Sequence, residues 1–275
     1  MPELPEVEVT RRSLQPQLEG QRLVAVQLGK PLRWPLGIPP SQLAGRTVLQ
    51  VLRRGKYIVL QLDEGVLLIH LGMSGSLRWV TGAASSESLW PHDHVTWQFP
   101  GQTLVLNDPR RFGAVVYSPS MVEGKASQLL QHLGLEPLEP SFTPERLQTG
   151  LAKHRAAIKQ VLLAGTVVVG VGNIYASEVL FRSGIHPVQP AFRVPDSSVQ
   201  RLHKHIVAVL SQAVELGGST LRNFHAPSGA AGAFQSVSQV YGREGLPCLA
   251  CGTPIARFIQ GQRSTFFCPS CQPFA

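Results

Sequence analysis

The stretch TVLQVLRRGKYIVLQLDEGVLLIHL, residues 47–71, decides the fold of the first half of this 275-residue chain. It contains three apolar runs rich in β-branched residues, separated by the turn sequences GK and DEG. Short apolar runs bounded by turn residues are typical of consecutive β-strands. The stretch therefore predicts the centre of a β-rich domain.

Similar runs lie on both sides of this stretch. Strands are predicted at residues 22–29, 94–99, 103–107 and 114–118, and a helix at residues 5–18 because proline lies in its first turn. This spacing of strands and turns predicts a β-sandwich or a flattened barrel over the first 118 residues.

The pattern changes to a helical period at about residue 121. Thr143-Pro144 is a strong start signal, because proline at the first helical position loses no hydrogen bond. The stretch 217–245 is rich in Gly, Ala and Ser and predicts a long loop or linker. Helices are predicted at residues 121–132, 144–154, 156–163, 174–183 and 197–216.

Composition favours a folded protein with a polyanionic partner. Hydrophobic residues make up 43% of the chain, and the formal net charge is +8. Nucleic acid is the first candidate partner for such a basic protein. No apolar run approaches the roughly 18–20 residues of a membrane span, and the acidic start MPELPEVEVTRR lacks the apolar core of a secretory signal. We therefore expect a cytoplasmic protein that does not use a membrane.

Four cysteines near the end of the chain have the spacing of a metal site. Cys248-x2-Cys251 and Cys268-x2-Cys271 are separated by sixteen residues, which fits a four-thiolate zinc site. The intervening ARFIQGQRSTFF predicts a β-hairpin that returns the second pair. Two disulfides or clustered thiols are the alternatives, and disulfides would need an oxidising compartment. The spacing predicts one structural Zn²⁺ as the only cofactor.

A glycine-rich segment, GTVVVGVGNIYASE at residues 165–178, lies between two predicted helices. The preceding AAIKQVLLA has a helical pattern, so the segment is not a dinucleotide-binding fingerprint, and no nucleotide cofactor is expected. A helix, two tight turns and a second helix with Asn173 as its N-cap would form a cradle for a nucleic-acid phosphate. A helix connection packed only for shape fits this segment equally well.

Seven motifs in order resemble one family. They are MPELPEVE, RGKY, HLGMSGSL, HDH, DPRRFG, VVGVGNIYASE and QVYGREGLPC, and together they resemble bacterial formamidopyrimidine-DNA glycosylase, also called 8-oxoguanine DNA glycosylase. The resemblance implies an α+β protein with an N-terminal β-sandwich, a helix-two-turn-helix domain and a C-terminal zinc-finger β-hairpin. The implied segments are a catalytic domain at 1–118, a DNA-binding domain at 119–225, a lesion-covering loop and linker at 226–245, and a zinc finger at 246–275.

The same resemblance implies a bifunctional base-excision repair enzyme. It would remove oxidised purines such as 8-oxoguanine and formamidopyrimidines from damaged double-stranded DNA through a proline Schiff base, followed by β,δ-elimination. It would act as a monomer on DNA of the bacterial nucleoid. The segment 226–234 lacks the charged residues usual in the family's lesion-covering loop, which leaves the preferred damaged base open.

The implied nucleophile is Pro2, exposed as a terminal amine after removal of Met1. An α-amine has an unperturbed pKa near 8, against about 10.4 for lysine, so more of it is uncharged at neutral pH. Glu3 matches the acid that protonates the sugar ring oxygen, and Glu6 a supporting carboxylate. Without the resemblance, Pro2 would simply start a helix, and the two acids would interact favourably with its N-terminus.

Two cations complete the implied catalytic set. Lys56 in the RGKY turn matches the lysine that contacts a phosphate and supports elimination, although a lysine in a turn is ordinarily just solvated. Arg263 on the predicted hairpin matches the arginine that clamps the phosphates flanking the lesion.

The implied DNA contacts include a group that replaces the extruded base. Extrusion costs roughly a few kcal/mol and leaves a gap in the stack. Met73, Arg110 and Phe112 match the residues that fill this gap, although core packing and a turn position are their ordinary interpretations. The implied phosphate contacts are His92, His154, Arg155, Lys159 and Asn173.

Two alternatives remain open from the sequence. An endonuclease VIII type of glycosylase shares the proline chemistry but favours oxidised pyrimidines, whereas Leu4 and the DPRRFG turn favour the purine enzyme. A catalytically silent, zinc-dependent protein that binds damaged DNA would keep the basic surface and the zinc site. Such a protein would have no use for Pro2 and Glu3 together.

Overall fold

The computed structural model describes residues 2–82, 89–219 and 232–274. By its contacts the chain divides into two compact units, Met1–His132 with Gly217–Gly232, and Leu133–Leu216 with Ala233–Ala275. Over the described ranges, no helix combines the length and apolarity that crossing a bilayer requires.

The first unit begins with helix α1, Leu4–Leu18, and continues into the predicted β-sandwich. Its strands are β1 Ala25–Leu28, β2 Val48–Arg54, β3 Tyr57–Leu62, β4 Val66–His70, β5 Ser76–Thr81, β6 Asp93–Phe99, β7 Gln102–Asn107 and β8 Ala114–Ser118. They form two four-stranded antiparallel sheets, in the orders β1-β6-β7-β5 and β2-β3-β4-β8. The predicted strands are confirmed, and the β-sandwich is the architecture of this unit.

The core of the first unit lies between the sheets and beneath α1. The core includes Val7, Leu14 and Leu18 of the helix, Ile58, Leu60, Leu67 and Ile69 of one sheet, and Trp97, Phe99, Leu104 and Leu106 of the other. Full burial of one such large apolar side chain contributes about 1.5–3 kcal/mol to stability.

Strand β5 was not predicted from the pattern of apolar residues in the sequence. It lies at the edge of its sheet, and Leu77 is the one residue of the strand that is well buried. An edge strand with one covered face does not show the continuous apolar run that marks β3 and β4.

Helix α2, Gly124–Leu130, belongs to the first unit and not to the helical half of the chain. The backbone N–H of Ala126 donates to the hydroxyl of Ser118 at 2.8 Å, which ties the helix to the end of β8. The division between the units therefore falls after His132, fourteen residues beyond the boundary expected at residue 118.

The second unit contains the remaining helices and one hairpin. The glycine-rich connection has the predicted helix-two-turn-helix form, and the helix before it ends at Gly165 with a left-handed φ of 74°. The elements are α3 Pro144–Leu151, α4 Ile158–Ala164, α5 Asn173–Ser183, α6 Asp196–Glu215, β9 Ala256–Gln260 and β10 Arg263–Phe267.

The N-terminus of α5 differs from the prediction by one residue. Gly172 occupies the N-cap position, and Asn173 is the first helical residue. The prediction of Asn173 as the N-cap is therefore wrong. Its side-chain amide instead donates a hydrogen bond to the carbonyl of Ser264 in β10.

Two loops of the first unit approach each other closely at Gly72. Its φ is +62°, and a β-carbon at this position would lie 2.4 Å from the backbone nitrogen of Gly113. Only glycine permits this contact between the loop after β4 and the loop before β8.

We expect Gly72→Ala to destabilise the protein by about 2–4 kcal/mol, because it adds a backbone collision to the cost of a left-handed alanine. Gly101→Ala is the matched control, since Gly101 also has a positive φ of 77° but no described atom lies within 4 Å of its added β-carbon. The control should lose only about 1 kcal/mol in urea unfolding. Equal losses for the two variants would show that the loops can separate at little cost.

Candidate functional site

Pro2 and Glu3 lie at the buried start of helix α1. The backbone N–H of Glu3 donates to the Oε2 atom of Glu6 at 2.8 Å, and the other carboxylate oxygen of Glu6 accepts from the backbone N–H of Ser219 at 2.8 Å. Glu6 is completely buried. This carboxylate therefore links the start of the helix to Ser219, which precedes residues 220–231, the segment that the structure does not describe.

Lys56 lies in the two-residue turn between β2 and β3. Arg54 pairs with Tyr57 at the end of the ladder, and Gly55 supplies a positive φ of 57° at the first turn position. Glycine at that position is typical of a tight hairpin turn. The hairpin thus places Lys56 at the tip of a rigid pair of strands.

His70, the last residue of β4, is a candidate that the motif analysis did not single out. It lies opposite Tyr57, with ring centroids 4.9 Å apart. Burial, and then the charges of Lys56 and Arg33, lower the pKa of His70 to about 4, so the ring is neutral at pH 7. Its Nδ1 accepts from the N–H of Gly72 at 3.0 Å, which leaves the proton on Nε2 as a donor. The sequence offered one signal for this residue, because His70 is the first residue of the motif HLGMSGSL.

The structure brings Met73, Arg110 and Phe112 onto two adjoining loops. Met73 is 42% exposed and Phe112 is 45% exposed, and the Arg110 guanidinium carbon lies 4.9 Å from the centre of the Phe112 ring. Leaving such large apolar side chains in water forgoes much of the roughly 1.5–3 kcal/mol that full burial would contribute. They are not core residues, so the ordinary interpretation of Met73 and Phe112 is wrong.

Asp108 is the buried anchor of these two loops. One oxygen accepts from the Ser74 hydroxyl at 2.6 Å, and the other accepts from the N–H of Gly113 at 2.7 Å. The same hydroxyl accepts from the N–H of Arg110 at 3.2 Å. This fully buried side chain therefore fixes both loops, because a buried polar group needs hydrogen-bond partners.

His92 is exposed and has a left-handed backbone with a φ of 75°. Its carbonyl accepts from the N–H of Asp108 at 3.0 Å, so the same buried anchor fixes its backbone. The predicted phosphate contact of His92 stays a prediction.

In the second unit, Arg263 is exposed at the tip of the β9–β10 hairpin. It pairs with Gln260, and the turn residues Gly261 and Gln262 both have positive φ. Two positive φ angles are typical of the tight type I′ turn. The hairpin prediction is confirmed, and its turn presents Arg263 at the first position of the returning strand.

Lys159 and Asn173 converge on the residue after Arg263. The Nζ of Lys159 donates to the carbonyl of Ser264 at 3.1 Å and to the hydroxyl of Thr265 at 2.7 Å, and the amide of Asn173 donates to the same carbonyl at 3.0 Å. Lys159 is 0% exposed. This burial contradicts its predicted contact with a DNA phosphate, because its ammonium is used to hold the hairpin. The phosphate contact of Asn173 stays a prediction.

His154 and Arg155 follow α3 in the same unit. His154 is partly exposed and Arg155 is exposed. The carbonyl of His154 accepts from the N–H of Phe192 at 3.1 Å. Both side chains are accessible in this unit, and their phosphate contacts stay predictions.

Glu178 holds the segment that leads into the zinc finger. It is fully buried, and its two oxygens accept from the backbone N–H groups of Gln239, Val240 and Tyr241, each at 2.9 Å. This contact joins two of the quoted motifs, VVGVGNIYASE and QVYGREGLPC. The sequence shows both motifs but not the link between them.

The four cysteines form one zinc site. Their sulfur atoms all lie within 4.8 Å of one another, and none is in a disulfide. Zinc–sulfur bonds of about 2.3 Å in a tetrahedron require sulfur separations of about 3.8 Å, so the arrangement fits the ion. Zinc supplies a structural crosslink here, because four thiolates leave no coordination position for water.

The two halves of the zinc site have the same backbone form. The N–H of Gly252 donates to the carbonyl of Cys248 at 2.9 Å, and the N–H of Gln272 donates to that of Cys268 at 3.0 Å. The surrounding core is small, with Phe181, Val240, Ile255 and Phe266 as its main apolar members. Such a core is too small to order the segment alone, so metal binding contributes to its folding.

We expect the purified protein to contain one zinc ion per chain by elemental analysis. Chelation, or Cys268→Ser, should remove the hydrogen-exchange protection of β9 and β10 and leave β3 and β4 protected. Ser270→Ala is the control, because this exposed residue lies between two ligands but supplies none. Full protection of the hairpin in metal-free protein would contradict a structural role for zinc.

Three family models match most of the chain. They are the formamidopyrimidine-DNA glycosylase N-terminal domain over residues 1–115, the H2TH domain of the same glycosylase over residues 133–225, and a zinc finger found in FPG and IleRS over residues 245–273. The first match lies within the first unit and the zinc-finger match lies within the second, whereas the H2TH match begins at the start of the second unit and runs past Leu216 to residue 225.

Individual proteins agree with these models. A formamidopyrimidine-DNA glycosylase from Acidovorax sp. (strain JS42) is 56% identical over 272 residues, covering 99% of both chains. The crystal structure of MutM (FPG) from Thermus thermophilus is 40% identical, with a TM-score of 0.89 and complete coverage of both chains. A Lactococcus lactis FPG variant bound to DNA containing Fapy-dG is 36% identical, with a TM-score of 0.90, covering 99% of this chain and 100% of that one. From these matches over nearly its whole length, the chain belongs to the formamidopyrimidine-DNA glycosylase family.

Proposed function

We propose that this enzyme excises oxidised purines from duplex DNA and then cleaves the strand at the resulting abasic site. The observation that carries the proposal is the Pro2-Glu3 start of α1, held by Glu6, on the same unit as the exposed group Met73, Arg110 and Phe112. The Fapy-dG in the DNA of the solved relative supports the substrate class.

The chemistry begins at the nitrogen of Pro2. This nitrogen attacks C1′ of the damaged nucleotide, and the base leaves with the electron pair of its bond to C1′ and takes up the proton that the amine loses. Glu3 supplies a proton to the ring oxygen as the bond between C1′ and that oxygen breaks, so that an iminium links the protein to the opened sugar. Loss of a proton from C2′ then expels the 3′ phosphate, and loss of a proton from C4′ expels the 5′ phosphate.

Glu6 has a supporting part in this scheme. It is occupied by the backbone N–H groups of Glu3 and Ser219, so it positions the helix start and does not itself meet the sugar. The lesion-covering segment 226–234 lies outside the described residues except for residues 232–234.

Contacts with DNA phosphates account for much of the affinity of the enzyme for DNA. We propose Lys56, His92, His154, Arg155, Asn173 and Arg263 as these contacts, and we add His70, whose neutral ring offers one N–H donor. Contacts of this kind bind DNA without reading its sequence and make binding strongly salt-dependent. Lys159 acts indirectly, through the hairpin that carries Arg263.

The exposed group on the first unit suits the gap left by an extruded base. Met73 and Phe112 are apolar wedges, and the planar Arg110 guanidinium can hydrogen-bond to the orphaned cytosine. We place the enzyme, as a monomer, on damaged DNA of the bacterial cytoplasm and its nucleoid.

We expect borohydride to trap the enzyme covalently on an abasic duplex, and peptide mass spectrometry to find the sugar on Pro2. Lys56→Met is the matched control, since it removes a side-chain amine of the same unit and should still be trapped. A preparation that retains Met1 should not be trapped at residue 2. An adduct on Lys56, or full activity with Met1 retained, would refute the proline mechanism.

We expect Arg110→Ala to lower excision of 8-oxoguanine opposite cytosine about tenfold to a hundredfold, because a good base contact is worth roughly 1–3 kcal/mol. Cleavage of an abasic duplex should change little, since there is no base to extrude. Arg111→Ala is the matched control, because its neighbouring guanidinium donates to the carbonyl of Pro31. Equal losses of Arg110→Ala on both substrates would mean that Arg110 only anchors the DNA.

A further inference from the structure

A buried ion pair joins helix α1 to the turn that carries Lys56. Arg53 donates from Nε to Oε2 of Glu8 at 3.0 Å, and from Nη1 to the carbonyl of Gly55 at 3.0 Å. The side chains of Arg53 and Glu8 are 8% and 10% exposed. One guanidinium therefore spans from the helix that starts after Pro2 to the peptide that precedes Lys56.

The contacted peptide is the one whose orientation determines the turn type. The strand ladder ends at the pair Arg54–Tyr57, so the peptide between Gly55 and Lys56 lies outside it. Gly55 has a φ of +57°, and Lys56 is not among the described residues with positive φ. This is the type II′ pattern, whereas type I′ needs positive φ at both positions. Turning the central peptide over would move Lys56 into the left-handed region.

Glu8 stays ionised and keeps Arg53 in place. Burial raises the pKa of Glu8, but hydrogen bonds from Arg11 and Arg12, with the charges of Arg11 and Arg53, hold it below its usual value. Neighbouring backbone contacts strengthen the same junction. The guanidinium of Arg11 donates to the carbonyl of Val51 at 3.2 Å.

We propose that Arg53 is a positioning residue, which fixes the peptide between Gly55 and Lys56 so that the Lys56 ammonium meets a DNA phosphate. The inference rests on the proposed role of Lys56 and adds that α1, the helix of the nucleophile, sets the geometry of this turn. Displacement of a catalytic group by about 1 Å can cost a hundredfold in rate, so this geometry matters for elimination.

The first arm of the test measures the turn in the full chain without DNA. The three-bond coupling between HN and Hα of Lys56 reports its φ in wild type and in Arg53→Gln. Arg12→Gln is the matched control, because Arg12 contacts the same Glu8 carboxylate at 2.8 Å but is 58% exposed. We expect Arg53→Gln to shift the coupling and Arg12→Gln to leave it unchanged. An unchanged coupling in Arg53→Gln overturns the inference.

The second arm measures cleavage of an abasic duplex and the salt dependence of its binding. We expect Arg53→Gln to lower the elimination rate about tenfold to a hundredfold, and to lower the slope of log affinity against log salt by about 0.9, one phosphate contact. Lys56→Met should do the same, and the double variant should be no worse than Lys56→Met alone. Borohydride trapping through Pro2 should persist in all three variants.

The outcomes separate the two claims. Additive losses in the double variant overturn the inference, because Arg53 would then act independently of Lys56. Full activity of Lys56→Met refutes the proposed role of Lys56, while the coupling still decides whether Arg53 sets the turn. If Arg53→Gln does not fold, Arg53→Lys replaces it. A single ammonium cannot make both guanidinium contacts, to Glu8 and to the carbonyl of Gly55, so we expect an intermediate shift of the Lys56 coupling. A wild-type coupling in Arg53→Lys overturns the inference.

Discussion

The structure depends on buried carboxylates that satisfy the backbone of its turns. A strand or helix pairs its own N–H groups, but a turn or a helix start leaves several without partners, and burying them unpaired is costly. Glu6 takes the N–H of Glu3 at the start of α1, Asp108 takes that of Gly113, and Glu178 takes three in succession before the zinc finger. Each of the three is completely buried, so its oxygens depend on these hydrogen bonds in place of water.

This constraint accounts for a site built on turns that are nevertheless rigid. Met73 and Phe112 expose their side chains on loops that are held by hydrogen bonds to the buried Asp108. Because these loops are already ordered, their proposed entry into the base stack would lose little conformational entropy. The same logic applies to Arg263, whose hairpin is held by the buried ammonium of Lys159.

The periodic elements were largely predictable from sequence. Strands β2 to β4, helix α5 and the zinc hairpin follow from apolar runs, turn residues and cysteine spacing. The exceptions have local causes. Strand β5 covers only one face, α2 is tied to β8 by the Ser118 hydroxyl, and Gly172 takes the N-cap position because the Asn173 amide bonds to Ser264.

By itself, the sequence determined the four thiolates of the zinc site, the strand and helix periods, and a net charge of +8 that favours a polyanionic partner. Residue type, spacing and periodicity are properties of neighbours along the chain, and these features need nothing more, whereas the role of Pro2 and Glu3 followed only from the family resemblance. Only the tertiary structure decided that Lys159 is buried beneath Ser264 and Thr265, that His70 is neutral beside Tyr57, and that Arg53 links Glu8 to Gly55. A polar side chain takes its role from the groups that folding brings next to it, and several of these lie far away in sequence: Thr265 is 106 residues from Lys159, and Glu8 is 45 residues from Arg53.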